Sequence, residues 1–147
     1  MLRDLMCRAG TSDCFTGFTE LQLFSRQANA ALQIGERHNE YLWHYMFSDF
    51  KLEYLMAQIT SELKPKQIVH TGLMKLMEYD RHSGMNYVES LREYIGNQFN
   101  ASVSAERLFI HRSTFLRRLE RIVQISGINL ADQDEVLYLM ISMKLIC

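Results

Sequence analysis

Residues 102–125 carry five arginines, Arg107, Arg112, Arg117, Arg118 and Arg121, against two glutamates, Glu106 and Glu120. The whole chain has 147 residues and a formal net charge of −1. Positive charge packed into one segment of a near-neutral chain points to a local anion-binding surface rather than to a basic protein. The planar fork of arginine matches phosphate oxygens and the major-groove edge of guanine. Ser113 and Thr114 follow Arg112 directly, where hydroxyls and the unpaired N–H groups of a helix start can donate to phosphate. The chemistry this pattern can perform is recognition of double-stranded DNA. The candidate contacts are His111, Arg112, Ser113, Thr114, Arg117, Arg118 and Arg121. Arg117 is expected to read a base, and Arg118 and Arg121 to hold phosphates.

Such contacts need a helix whose start enters the major groove and a second element to brace it. The sequence predicts a short helix over residues 102–108, a turn of about three residues and a longer helix over 112–125, the arrangement of a helix-turn-helix. Ala105 is small enough for the helices to cross, and Ile110 can anchor the turn. Phe115, Leu119 and Ile122, at i, i+4 and i+7, form an apolar inner face. His111, Arg112, Ser113, Leu116, Arg117 and Glu120 are left outward. Phe109 stands at the turn position that glycine often takes. The same spacing also suits a helical hairpin with a solvated basic face.

The remaining chain divides at Pro65, the single proline, which lies between two lysines and reads as a linker. Residues 1–66 read as a helix-strand-helix segment. Thr19 and Gln22 have capping-box spacing; Leu21, Phe24, Ala28, Ala31 and Leu32 share one helical face, and Gly35 reads as its stop. Residues 41–47 alternate Tyr41, Trp43, Tyr45 and Phe47 as a strand would, and one strand needs a partner from the first 15 residues, a larger domain or another chain. Ser48 or Asp49 can cap a following helix with Leu52, Leu55, Met56, Ile59 and Leu63 as its stripe. Residues 67–147 read as a helical domain. It has a helix over 68–78, a polar break over 79–84, and an amphipathic helix marked by Tyr87, Val88, Leu91, Tyr94, Ile95 and Phe99. The helix-turn-helix follows, ended by Gly127, and then a last helix capped by Asp132 and Glu135. The fold class is mainly α.

Several function classes lack residues to support them. Cys7, Cys14 and Cys147 are odd in number and have no paired spacing, so they read as unpaired thiols in a reducing compartment. His38, His44, His70, His82 and His111 have no metal-ligand spacing. No phosphate loop, nucleophile elbow or carboxylate pair is present, so neither a catalytic activity nor a cofactor is expected. Glu89 and Glu93 read as a solvated face, and Met74, Met77, Met140 and Met143 as core. Arg3, Asp4 and Arg8 interrupt the apolar N-terminus, and the longest apolar run, residues 137–143, is far short of a membrane span. The expectation is a cytoplasmic protein with no membrane partner.

Tyr79-Asp80, the stretch Tyr94-Ile95-Gly96-Asn97, Asn100, Ala105, Leu108, the run from His111 to Ile122 and Gly127-Ile128-Asn129-Leu130 together resemble the C-terminal DNA-binding domain of PucR/CdaR-type bacterial regulators. The resemblance implies a DNA-binding transcriptional regulator. Ser113 stands where that family usually has asparagine, and Arg117 where it often has an aromatic residue. Residues 15–35 and the aromatic segment before Phe50 resemble, more weakly, the end of the family's GGDEF-like middle domain, without the glycine-glycine-acidic-acidic motif of cyclic-dinucleotide synthesis. The last helix is apolar on nearly all sides, with Ser142 and Lys144 its clearly polar residues after Val136. It must therefore be covered, either by a second copy or by the N-terminal helices. A homodimer paired through this helix, through residues 41–47 or through both is expected, reading a pseudo-palindromic site. The alternatives are an oligomerisation module without DNA binding of its own and a sequence-tolerant DNA-bending protein like the factor for inversion stimulation. The effector is not legible.

Overall fold

A computed structural model describes residues 7–146, so Cys147 and the N-terminal Arg3 and Asp4 lie outside the described residues. The chain is mainly α, as the sequence predicts, and separates into two compact units that divide between Glu62 and Leu63.

The first unit holds β1 (Ala9–Thr11), α1 (Leu21–His38), β2 (His44–Met46) and α2 (Lys51–Ile59). The partner for the aromatic strand does come from the first 15 residues: β1 and β2 pair in parallel, with Gly10 opposite Tyr45. The strand is shorter than the predicted 41–47, because Tyr41 is exposed and residues 47–50 turn into a 3-10 helix. Tyr45 and Phe47 point inward and form a small core with Ala31. Gly35 does not stop α1. It is buried within the helix, and a Cβ there would collide with the Tyr45 ring. Thr19 does not cap α1 either, since a 3-10 turn (Phe18–Glu20) leads straight into it. Nor does Ser48 or Asp49 cap α2: Phe50 holds that position, and Ser48 bonds Asp49 instead. Leu52, Leu55 and Ile59 of α2 are exposed rather than buried.

The second unit holds α3 (Pro65–Ile68), α4 (Thr71–Ser83), α5 (Tyr87–Gly96), α6 (Ala101–Arg107), α7 (Arg112–Ser126) and α8 (Gln133–Ile146). Pro65 opens α3 rather than acting as a loose linker; its fixed φ and missing N–H suit the first position of a helix. The expected break over residues 79–84 is helix up to Ser83, closed by Gly84 at φ 68°. Glu78 pairs with Arg81 and His82 on its exposed side. On the inner side Tyr79 stacks on Tyr87, and the Asp80 carboxylate accepts the N–H groups of Tyr87 and Val88 at 3.0 and 2.8 Å. Polar residues taken for a break therefore cap the next helix. Leu73, Leu76, Leu91, Phe115, Ile122, Ile128 and Leu139 are fully buried in one core, each contributing about 1.5–3 kcal/mol by leaving water.

In α8 a polar residue, Ser142, lies inside beside Leu139 and Met143, and several apolar ones lie outside. Ser142 is buried, its hydroxyl accepting the His70 N–H at 2.9 Å, whereas Leu137, Tyr138 and Met140 are exposed. Asp132 caps α8 as expected, while Glu135 reaches back to the Asn129 N–H. Among the described residues no helix is long and apolar enough to cross a membrane.

Asp80 joins α4 to the unpaired N–H groups that start α5. Replacing it with alanine should cost about 1–2 kcal/mol and lower the thermal midpoint by several degrees, measured by the helical circular dichroism signal. An unchanged midpoint would show that water replaces the carboxylate without loss.

Candidate nucleic-acid interface

The elbow of α6 and α7 begins at Asn100, whose side chain accepts the N–H groups of Ser102 and Val103 at 3.1 and 3.2 Å. A polar cluster then fixes α6 against α5. The buried Ser104 hydroxyl lies 2.8 Å from the Asn100 carbonyl and 3.2 Å from that of Glu93. The Asn97 amide donates to the Glu93 carbonyl at 2.7 Å and to its carboxylate at 3.0 Å. Glu93 is thus part of the scaffold, not of a solvated face. Sequence reasoning missed this cluster; its one signal was a small hydroxyl residue beside Ala105 at the predicted crossing.

Ala105 is buried, and its carbonyl accepts the Ile110 N–H at 3.0 Å, which closes the turn. Phe109 occupies the left-handed region at φ 54°. That conformation costs a residue with a Cβ about 1–2 kcal/mol. α7 then runs from Arg112 to Ser126, with Phe115, Leu119 and Ile122 buried as the spacing predicts, and Gly127 ends it at φ 71°. Leu116, expected outward, is half-buried against the core. The far end is set by Gly72 at the start of α4: a Cβ there would lie 2.7 Å from the Ser126 carbonyl and 2.9 Å from Ile128, so only glycine permits this approach.

At the near end His111 caps α7. Its Nδ1 accepts the Ser113 N–H at 3.3 Å and lies 2.8 Å from the Ser113 hydroxyl. The arginines fall into two groups. Arg112 and Arg117 are exposed and form no hydrogen bond or ion pair among the described residues. The other three are tethered. Arg107 lies 3.8 Å from Glu93, and Arg118 is half-buried, donating to Ser90 at 3.3 Å. Arg121 lies 5.8 Å from the Tyr79 ring centre and bonds Gln124. Thr114 is exposed beside Ser113, while Glu120 and Gln124 continue the outward side of the helix. Among the described residues no His, Cys, Asp or Glu cluster could hold a metal ion, and Cys14 is an exposed thiol.

The stretch from α5 to α8 coincides with a known domain pattern. Residues 87–145 match the family described as the PucR C-terminal helix-turn-helix domain. Two curated relatives extend the similarity beyond the PucR domain. One, the DNA-binding transcriptional activator AdeR of Bacillus subtilis, is 29% identical over 121 residues, which are 82% of this chain and 29% of the relative. The other, the carbohydrate diacid regulator of Escherichia coli, is 23% identical over 141 residues, 96% of this chain and 36% of the relative. The chain spans about a third of the length of these relatives. No solved structure matches the chain.

The crossing at Ala105 generates a direct test of the elbow's geometry. Ala105→Glu places a carboxylate in a contact with no room and no partner. It should cost about 2–4 kcal/mol, overpacking and charge burial together, and lower the urea midpoint accordingly. A wild-type midpoint would put residue 105 in solvent.

Proposed function

We propose that this chain is the DNA-binding part of a bacterial transcriptional regulator, with the first turns of α7 entering the major groove of duplex DNA. The observation that carries this reading is the pair of exposed, untethered guanidinium groups on Arg112 and Arg117, in the first two turns of a helix anchored at its other end. His111, Ser113 and Thr114 at the helix start suit phosphate oxygens. The relatives' names, a transcriptional activator and a diacid regulator, support a regulatory rather than a catalytic role, and a role exercised on DNA belongs in the cytoplasm. Residues 1–66 fit the end of a GGDEF-like regulatory domain, and residues 67–147 the DNA-binding domain.

Arg112 and Arg117 are free to read base edges. Arg118 and Arg121, held at Ser90 and Tyr79, suit phosphates or simply fix charge. Binding to random duplex should be measurable at low salt and fall steeply as salt rises, because released counterions drive it. Arg117→Ala should cost about 1–3 kcal/mol at the preferred site and little on random duplex, whereas Arg118→Ala and Arg121→Ala should weaken both about equally. Fluorescence anisotropy across a salt series measures all of these. Equal losses for Arg117→Ala on both duplexes would assign it to phosphate. No binding at low salt would favour an oligomerisation module instead, and tight binding without sequence preference a bending protein.

The exposed Leu137, Tyr138 and Met140 on α8 are suited to a second copy of this chain. A two-fold axis through that face would set two recognition helices one DNA turn, about 34 Å, apart. Light scattering at micromolar concentration should give twice the chain mass, and Leu137→Glu with Met140→Glu should return it to one. A wild-type monomer would remove the palindromic site from the proposal.

A further inference from the structure

Among the described residues three besides glycine have positive φ: Gln98, Phe99 and Phe109. The conformation of Phe99 is supported from within the fold. Its N–H donates to the Tyr94 carbonyl at 2.8 Å, and its ring meets Tyr94 edge-on at 5.4 Å between centres. Phe109 has the backbone half of that support, an N–H bond to the Glu106 carbonyl at 3.0 Å, but its side chain is 95% exposed. A lone exposed apolar residue is ordinary. A large ring held in the conformation glycine favours, at the vertex of the motif and without packing, is a strained position, and such strain collects at contact sites.

The vertex lies beside the groove-facing end of α7. One residue, Ile110, separates Phe109 from His111, so their Cα atoms lie at most about 7 Å apart, and the major groove is about 12 Å wide. With the first turn of α7 in the groove, the phenyl ring is within reach of the groove wall. Exposed Arg107 and Arg112 flank it in sequence. An apolar ring in a cationic surround matches a polyanion that also offers apolar sugar faces and thymine methyl groups better than it matches an apolar protein surface.

The geometry points to Phe109 as a DNA contact that packs against deoxyribose or a thymine methyl at the edge of the major groove and adds affinity that is not ionic. This inference rests on the DNA-binding reading above. Removing on the order of 50 Å² of phenyl surface from water corresponds to roughly a five- to tenfold change in affinity.

Three proteins test it: wild type, Phe109→Gly and Phe109→Tyr, each measured for thermal midpoint and for duplex affinity across a salt series. Phe109→Gly should melt at or above wild type, because the strain is relieved. It should bind roughly five- to tenfold more weakly with an unchanged salt slope, and Phe109→Tyr should restore affinity to within about twofold. If Phe109→Gly binds as tightly as wild type, the inference fails while the DNA reading stands. If it loses binding and stability together, Phe109 is a structural residue and the inference also fails. If wild type itself does not bind duplex, both readings fall.

Discussion

The direction of α7 depends on one close approach. Gly72 presents no side chain where the C-terminal end of α7 passes, so the Ser126 carbonyl and Ile128 can sit against the start of α4. Ser126 completes the junction: its hydroxyl donates to the Ile122 carbonyl at 2.6 Å and accepts the Ile128 N–H at 3.2 Å. With that end fixed and Phe115, Leu119 and Ile122 buried along the helix, the opposite end is left to project. A Cβ at residue 72 would force α4 and α7 apart, and every side chain on the first turn of α7 would move with the helix.

Four of the helix starts are held by a side chain that accepts their backbone N–H groups: one reaches over from the preceding helix, and three stand just ahead of the helix they cap. Asp80 of α4 serves α5, Asn100 serves α6, His111 serves α7 and Asp132 serves α8. Orphan N–H groups at helix starts are obligatory partners, so these residues fix where each helix begins and, through their own attachment, the angle at which it leaves. The Glu93–Asn97–Ser104 cluster does this for the α5–α6 junction.

The sequence made the elbow legible because its signals are local: an asparagine cap, an alanine at a crossing, an apolar i, i+4, i+7 face and a terminal glycine. It misled where one residue type serves two purposes. Polar Tyr79-Asp80 resembles a break but caps a neighbour; Ser142 resembles solvent surface but bonds His70 inside; Gly35 resembles a stop but makes room for the Tyr45 ring. The arginines carry equal charge in the sequence, and only side-chain reach separates Arg118, held at Ser90, from Arg117. The first unit was hardest to read. Its three-residue strands fall below the length at which alternation is a signal, and α2 turns Tyr54 toward Phe47 while Leu52, Leu55 and Ile59 of its apolar stripe stay exposed.

On the DNA-binding reading proposed above, the division of the arginines separates finding a duplex from reading it. A side chain already tethered has little rotamer freedom left to lose, so Arg107, Arg118 and Arg121 hold their charge in place before any partner arrives. Charges fixed this way shape the long-range field that draws a polyanion in, and they act on the rate of encounter. Arg112 and Arg117 are mobile and must surrender about 2 kcal/mol of rotamer entropy each when immobilised, a loss that only a well-matched bidentate contact offsets. Under that proposal attraction would be indifferent to sequence, and residence on a site would be decided by the arginines that begin with the most freedom.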